Sequence, residues 1–195
     1  MGAEETMDKK TRTNFDNLHA DSGEVQYQAF CDLIEAMDKP VDWAYEVWDE
    51  LIAKLKDKDP HERARAAQFL NGLAKSDPKG RMLKDFDAVM AVTRDEKFVT
   101  ARHALQSTWK VGLAGKKQQK LVVDRLAGRF RECASEKNCT MIRHDIEVAL
   151  RKLYDAVAAS DQPAAESIRA KALELIETEP DMKYRKKYAT VWRGA

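Results

Sequence analysis

The stretch Asp59-Pro60-His61-Glu62-Arg63-Ala64-Arg65-Ala66-Ala67 decides the fold, because its pattern returns twice further along the chain. When Arg63, Arg102 and Arg143 are set in register, at separations of 39 and 41 residues, core-type residues recur three, seven and ten places further on. Such spacing puts apolar side chains on one face of an α-helix, so the sequence predicts a helix that recurs three times. The aligned positions are Ala66, Leu105 and Ile146, then Leu70, Trp109 and Leu150, and last Leu73, Gly112 and Leu153, where Gly112 departs from the pattern.

Turn signals separate these helices from shorter apolar stripes. Asp59 before Pro60 predicts a helix start, because the carboxylate accepts from free backbone amides and Pro has no amide hydrogen to lose. Ser160-Asp161-Gln162-Pro163 repeats this signal. By the same argument we expect Asp42 and Thr140 to cap the helices that follow them.

The composition suits one all-helical domain. The chain has 195 residues, of which 44% are hydrophobic and 34% charged, enough for a core beneath well-solvated outer faces. Only 8 Gly and 5 Pro are present, few for an all-β fold with its many turns. We expect a flexible N-terminus over 1–13 and one helical-repeat domain over 14–195, with the clearest repeats at about 43–157 and capping helices on both sides.

Several function classes find no support in the sequence. No apolar segment is long enough to span a bilayer or to act as a signal peptide, so we expect no membrane association and a cytoplasmic location. Cys31, Cys133 and Cys139 do not form the two close pairs that a zinc site needs, and we predict no metal and no cofactor. No nucleophile elbow, phosphate-cradling glycine loop or His-Glu-x-x-His motif occurs, which predicts a protein that is not an enzyme.

The stretch 59–67 and its recurrence resemble the second-helix signature of the HEAT-repeat family, including its bacterial HEAT-like members. The resemblance covers about 43–157 in three repeats. It implies a right-handed α-solenoid, an armadillo-like α-α superhelix of about four to five antiparallel helix pairs. In such a solenoid each repeat is stabilised by stacking on its neighbours, and the second helices line the concave side.

In that family a turn acid and a second-helix Arg or Lys commonly form a ladder between repeats. Asp57 and Glu96 stand six places before Arg63 and Arg102, whereas Lys137 stands at the third equivalent position. We therefore interpret Arg63, Arg102 and Arg143 as ladder residues rather than as ligands of an anion.

The predicted concave face supplies the candidate site. Positions one and eight residues after the ladder arginines lie away from the core stripe, are largely polar and turn basic towards the C-terminus. The hypothesis is a scaffold that binds a protein or peptide partner there, and the alternative interpretation is a solvated helix face. The expected partner-binding residues are Asn71, His103, Gln106, Lys110, His144, Glu147 and Arg151.

The second functional hypothesis is nucleic-acid binding, as in the HEAT-like DNA glycosylases. Residues 1–96 carry 14 Lys and Arg against 21 Asp and Glu, and 97–195 carry 20 against 12, so only the C-terminal half suits phosphates. Trp109 falls at a core position, which favours packing over base stacking. The sequence does not identify the partner or the oligomeric state. The residues for this alternative are Lys110, Lys116, Lys117, Lys120 and Arg151.

Overall fold

The computed structural model describes residues 7–195, and all regular secondary structure in that range is helical. This confirms the prediction of an all-α protein. Four short 3-10 helices, at Ala74–Ser76, Thr108–Ala114, Cys133–Ser135 and Thr190–Trp192, accompany the α-helices. The α-helices are α1 Lys9–Asn17, α2 Gly23–Ala36, α3 Ala44–Lys54, α4 Pro60–Leu73, α5 Met82–Val92, α6 Phe98–Ser107, α7 Lys116–Glu132, α8 Cys139–Ala158, α9 Gln162–Glu177 and α10 Met182–Ala189.

Two of the four predicted capping residues cap their helices, and two do not. Asp59 Oδ1 accepts a hydrogen bond of 2.8 Å from the amide of His61, and Asp161 caps α9 in the same way. The capping predictions for Asp42 and Thr140 are wrong, because α3 begins after Trp43 and α8 begins at Cys139 without side-chain caps. Trp43 is buried and Cys139 contacts a buried thiol, so packing sets both starts.

Consecutive helices pack in pairs, and alternate helices pack in two rows. One row contains α3, α5, α7 and α9, each of which contacts the next, and the other contains α4, α6, α8 and α10. Large side chains between the rows, such as Trp48, Phe86 and Phe130, are fully buried. This burial is the main stabilising contribution to the fold, at roughly 25 cal/mol per Å² of apolar surface.

The three recurring arginines link successive pairs. Arg63 donates to Asp95 at 2.5 and 2.9 Å, and Arg102 donates to Asp145 at 2.7 and 3.0 Å. As predicted, these arginines pair with acids between helix pairs. The list of ladder pairs is Arg63–Asp95, Arg102–Asp145 and Arg143–Glu179, the last at 2.7 Å.

The acids of the ladder differ from those expected. Asp57 contributes only its backbone carbonyl, which accepts from Arg63 Nη1 at 2.8 Å, and Glu96 is exposed. Each carboxylate partner instead belongs to the following helix pair, 32 to 43 residues along the chain. The hydrogen bonds from Arg63 hold the pKa of Asp95 below its usual value, so this pair stays ionised.

The helix that carries Arg102 changes its pitch where the sequence pattern departs. At Thr108–Ala114 the α6 helix tightens into a 3-10 helix, which turns each residue further round the axis. Val111 is therefore fully buried, while Trp109 is only half-buried. A Cβ at Gly112 would lie 2.7 Å from Leu153 Cδ1, so the absent side chain permits this close approach.

The chain termini carry further helices. The flexible segment expected over 1–13 is corrected from Lys9 onward, since α1 begins there and Asp8 caps it through the Thr11 amide at 2.9 Å. The remainder of that prediction, over 1–6, lies outside the described residues. At the other end α10 is a short closing helix. Tyr188 is buried against α8, and its hydroxyl donates to the carbonyl of Thr140.

Within 7–195, no helix is both long and apolar enough to span a lipid bilayer.

Candidate functional site

A cleft of about 210 Å³ opens on the row that contains α4, α6 and α8. Because α2 borders this row, the cleft is closed on one side by Phe30 and Ile34. The opposite side carries Lys152 of α8, and the floor comes from α6 and the 3-10 helix after it. The remaining lining residues are Gln68, His103, Gln106, Ser107, Trp109 and Lys110.

The apolar part of the cleft is aromatic. Trp109 packs against the core, as its position predicts, and its half-buried ring also lines the cleft. Its equivalents Leu70 and Leu150 are fully buried and do not line the cleft. Phe30 is held by Phe69, with 5.6 Å between ring centroids. A ligand in the cleft would therefore meet two rings whose positions are set from beneath.

The charged part of the cleft is positive. Lys110 Nζ lies 3.1 Å from Asp38 Oδ1, which neutralises that charge in part. Lys152 is exposed and lies over the Trp109 ring at 5.9 Å from its centroid. Among residues 7–195 no carboxylate lies within ion-pair distance of Lys152. A cation that rests on an aromatic face and lacks a counterion is available to an anionic group of a ligand.

Three of the predicted site residues come together in this cleft. His103 is exposed at the rim, Gln106 is half-buried and donates to Asp145 at 3.1 Å, and Lys110 borders the aromatic part. Gln106 is thus shared between the cleft and the arginine ladder.

Two predicted site residues are wrong as surface positions. Asn71 is fully buried and donates to Ser107 Oγ at 2.8 Å, and Glu147 is fully buried beneath Trp192, whose indole nitrogen donates to it at 2.8 Å. The physical reason is common to both. Each is covered by a neighbouring element: Asn71 lies against α6, and Glu147 lies against the 3-10 helix Thr190–Trp192.

The last two predicted residues are covered by the C-terminal segment. His144 packs against Tyr188, with ring centroids 6.4 Å apart, and burial followed by the nearby charge of Lys187 lowers the pKa of His144. Arg151 donates to the carbonyl of Val191 at 3.0 Å and pairs with Asp155. These residues therefore fasten α10 to α8, and the expectation that they lie on an open face is corrected.

Glu147 is the most perturbed acid of this face. Burial raises its pKa to about 8, and the hydrogen bond from Trp192 opposes that rise in part. One carboxyl oxygen accepts from the indole, and no protein group lies within hydrogen-bond distance of the other among the residues described. Burial therefore favours the neutral form of Glu147 at neutral pH, and its side chain packs beneath Trp192.

The basic residues of the nucleic-acid alternative do not form one surface. Lys116 and Lys120 line a separate cleft of about 500 Å³ between α7 and α9, and Lys117 is exposed on the same helix. Lys116 lies 3.2 Å from Asp161 and Lys120 lies 2.5 Å from Asp124. Neither shares a cleft with Lys110 or with Arg151.

Other cleft residues escaped the sequence argument. Gln68 and Ser107 stand five places after their ladder arginines, and they reach the cleft together with Lys110, which stands eight places after Arg102. That offset is a signal in the repeat that the sequence argument overlooked. The sequence gives no comparable signal for Lys152 or Trp109. Helical spacing places Trp109 among the core residues, and the 3-10 turn that exposes part of its ring cannot be predicted from that spacing.

No family model matches the chain, and no curated protein matches it.

Proposed function

We propose that this protein is a non-catalytic interaction scaffold, whose aromatic and basic cleft binds an acidic segment of a partner protein. The single observation that carries the proposal is the exposed Lys152 over the Trp109 ring, with no carboxylate partner in the described chain. The partner segment would set an apolar side chain against Trp109 and Phe30, and a carboxylate beside Lys152. In protein–protein interfaces, buried aromatic anchors commonly supply most of the binding energy, and polar or charged residues surround them.

The proposed architecture is a HEAT-like, right-handed α-solenoid of antiparallel pairs. Two rows of alternating helices and an arginine ladder that recurs at Arg63, Arg102 and Arg143 support it. Stacked pairs of this kind present a continuous surface, which suits an extended partner.

The function is tested by fluorescence anisotropy with three labelled peptides that share one apolar anchor flanked by Glu, Gln or Lys. We expect the Glu peptide to bind, the other two to bind far more weakly, and the affinity to fall with salt. Lys152→Glu should weaken the Glu peptide by about tenfold, since it replaces an attractive charge by a repulsive one. Lys117→Glu is the matched control, an exposed lysine on α7 outside the cleft.

The outcomes separate the two functional classes. Equal binding of all three peptides, or equal loss in Lys152→Glu and Lys117→Glu, would remove the cleft as the site. A labelled DNA duplex provides the comparison for nucleic acid. Duplex binding that is lost in Lys117→Glu and kept in Lys152→Glu would replace the scaffold by a nucleic-acid-binding protein that uses α7.

A further inference from the structure

Two thiols outside the cleft lie in direct contact. Cys133, in the 3-10 helix that ends α7, has its Sγ 2.9 Å from Sγ of Cys139, the first residue of α8. Five residues separate them, and the amide of Glu136 donates to the Cys133 carbonyl at 2.8 Å, which holds the turn closed. A disulfide has a sulfur–sulfur distance of about 2.05 Å, so bond formation needs a shift of roughly one ångström and no refolding.

We propose that Cys133 and Cys139 are a redox modification site, which a small disulfide of the glutathione class converts into a reversible intrachain disulfide. Such a site is independent of the proposed scaffold function. Cys31, the third cysteine, lies in α2 and has no thiol partner in the described chain.

The two sulfurs differ in access, and this orders the reaction. Cys133 is fully buried and Cys139 is partly exposed. Burial raises the pKa of the Cys133 thiol to about 12, so Cys139 is the sulfur that meets the reagent first. Cys133 is then the resolving thiol, which contact with Cys139 keeps in place.

The exchange balances in two steps. Cys139, after losing its proton, attacks one sulfur of the glutathione disulfide, and the sulfur–sulfur bond of the reagent breaks to release one thiolate. Cys133 then attacks the Cys139 sulfur of the mixed disulfide and releases the second thiolate. The two protein thiols lose two electrons, the reagent gains them, and the two protons pass to the departing thiolates.

The surroundings give the bond a structural consequence. Arg129 is fully buried between the turn and α5, where it binds Glu136 and the carbonyl of Thr93 at 3.1 Å. Arg143 of α8 donates to the carbonyl of Phe130 and to the carboxylate of Glu179. A covalent link at this turn fastens α7 to α8 between these two buried arginines, and we expect the oxidised protein to melt about 5 °C higher.

The test uses the full chain in mixtures of reduced and oxidised glutathione, followed by alkylation and peptide mass mapping. We expect Cys133 and Cys139 to become linked, with the loss of two hydrogen masses, and added reductant to restore both thiols. Cys31→Ser is the control variant and should leave the link unchanged. In Cys139→Ser, Cys133 should stay reduced in the same mixtures.

Two results would overturn the proposal. One is a glutathione adduct on Cys139 that accumulates without conversion to the internal link. The other is a Cys133 thiol that remains free under conditions that modify Cys31. Because Cys139→Ser changes a partly exposed residue, it tests the pairing without opening a cavity in the core, and a thermal unfolding curve verifies that the variant is folded.

Discussion

Replacing Glu147 by Gln should stabilise the protein at neutral pH and flatten its pH dependence. The pKa of the buried carboxyl rises from 4.5 to about 8, so the folded state holds a proton that the unfolded state releases. Since the folded state binds more protons between these values, the free energy of unfolding falls as pH rises from about 4.5 to about 8. The loss amounts to about 1 kcal/mol at pH 5, about 3 kcal/mol at pH 7 and about 4 kcal/mol at pH 8.

The amide side chain of the Glu147→Gln variant cannot ionise, and it still offers an oxygen to the indole of Trp192, which donates to Glu147 at 2.8 Å in the wild type. Urea unfolding at pH 5 and pH 8 measures the effect. We expect the two proteins to differ by about 1 kcal/mol at pH 5 and by about 4 kcal/mol at pH 8, with the variant more stable. Glu35→Gln is the matched control, because Glu35 is exposed on α2 and has no ion pair among the described residues.

The reasoning is refuted if the difference between wild type and Glu147→Gln is the same at both pH values. Such a result would mean that Glu147 is ionised in the folded protein and that water reaches its unpaired oxygen. A variant less stable at both pH values would show that the added amide hydrogens are tolerated worse than a charge.

Two stability predictions concern contacts between neighbouring helices. Gly112→Ala should lower the free energy of unfolding in urea by about 1 to 3 kcal/mol, because the new Cβ would lie 2.7 Å from the fully buried Leu153. Gly23→Ala is the control, since its Cβ would meet nothing within 4 Å, and equal effects of the two changes would contradict the packing argument. Arg102→Met should lower the free energy of unfolding by about 3 kcal/mol, since it leaves the carboxylate of Asp145, whose side chain is 4% exposed, without its cation. A change below about 1 kcal/mol would mean that Gln106 and solvent stabilise this carboxylate without the arginine.

The sequence predicted the helical class and much of the helix layout correctly. Asp59 with Pro60 and Asp161 with Pro163 mark helix starts through local hydrogen bonds, which depend on neighbouring residues alone. The same reasoning failed at Asp42, because α3 begins at Ala44, after the buried Trp43. A cap is favoured by about 1 kcal/mol, and the burial of one large aromatic ring outweighs that preference.

The sequence also predicted a shared role for Arg63, Arg102 and Arg143, because apolar residues recur at the same spacing after each of them. The carboxylates that pair with these arginines could not be predicted in the same way. Asp95 and Asp145 occupy different places in their repeats, one in a turn and one within α8. A long arginine side chain reaches acids at either place, and only the stacking of helix pairs selects between them.

By itself, the sequence determined what depends on short spacing: where helices form, which stripe of each is apolar, and that three arginines share one role. The tertiary structure alone decided which polar residues remain open to a ligand. The sequence predicts Asn71 and Glu147 on the surface, but neighbouring elements bury both of them. It predicts Trp109 in the core, and the ring packs there while also lining the cleft. The contact of Cys133 with Cys139 likewise depends on how the turn between α7 and α8 closes. The physical reason is that a helix's own periodicity separates apolar from polar faces, whereas the exposure of a polar face depends on the neighbour that packs against it.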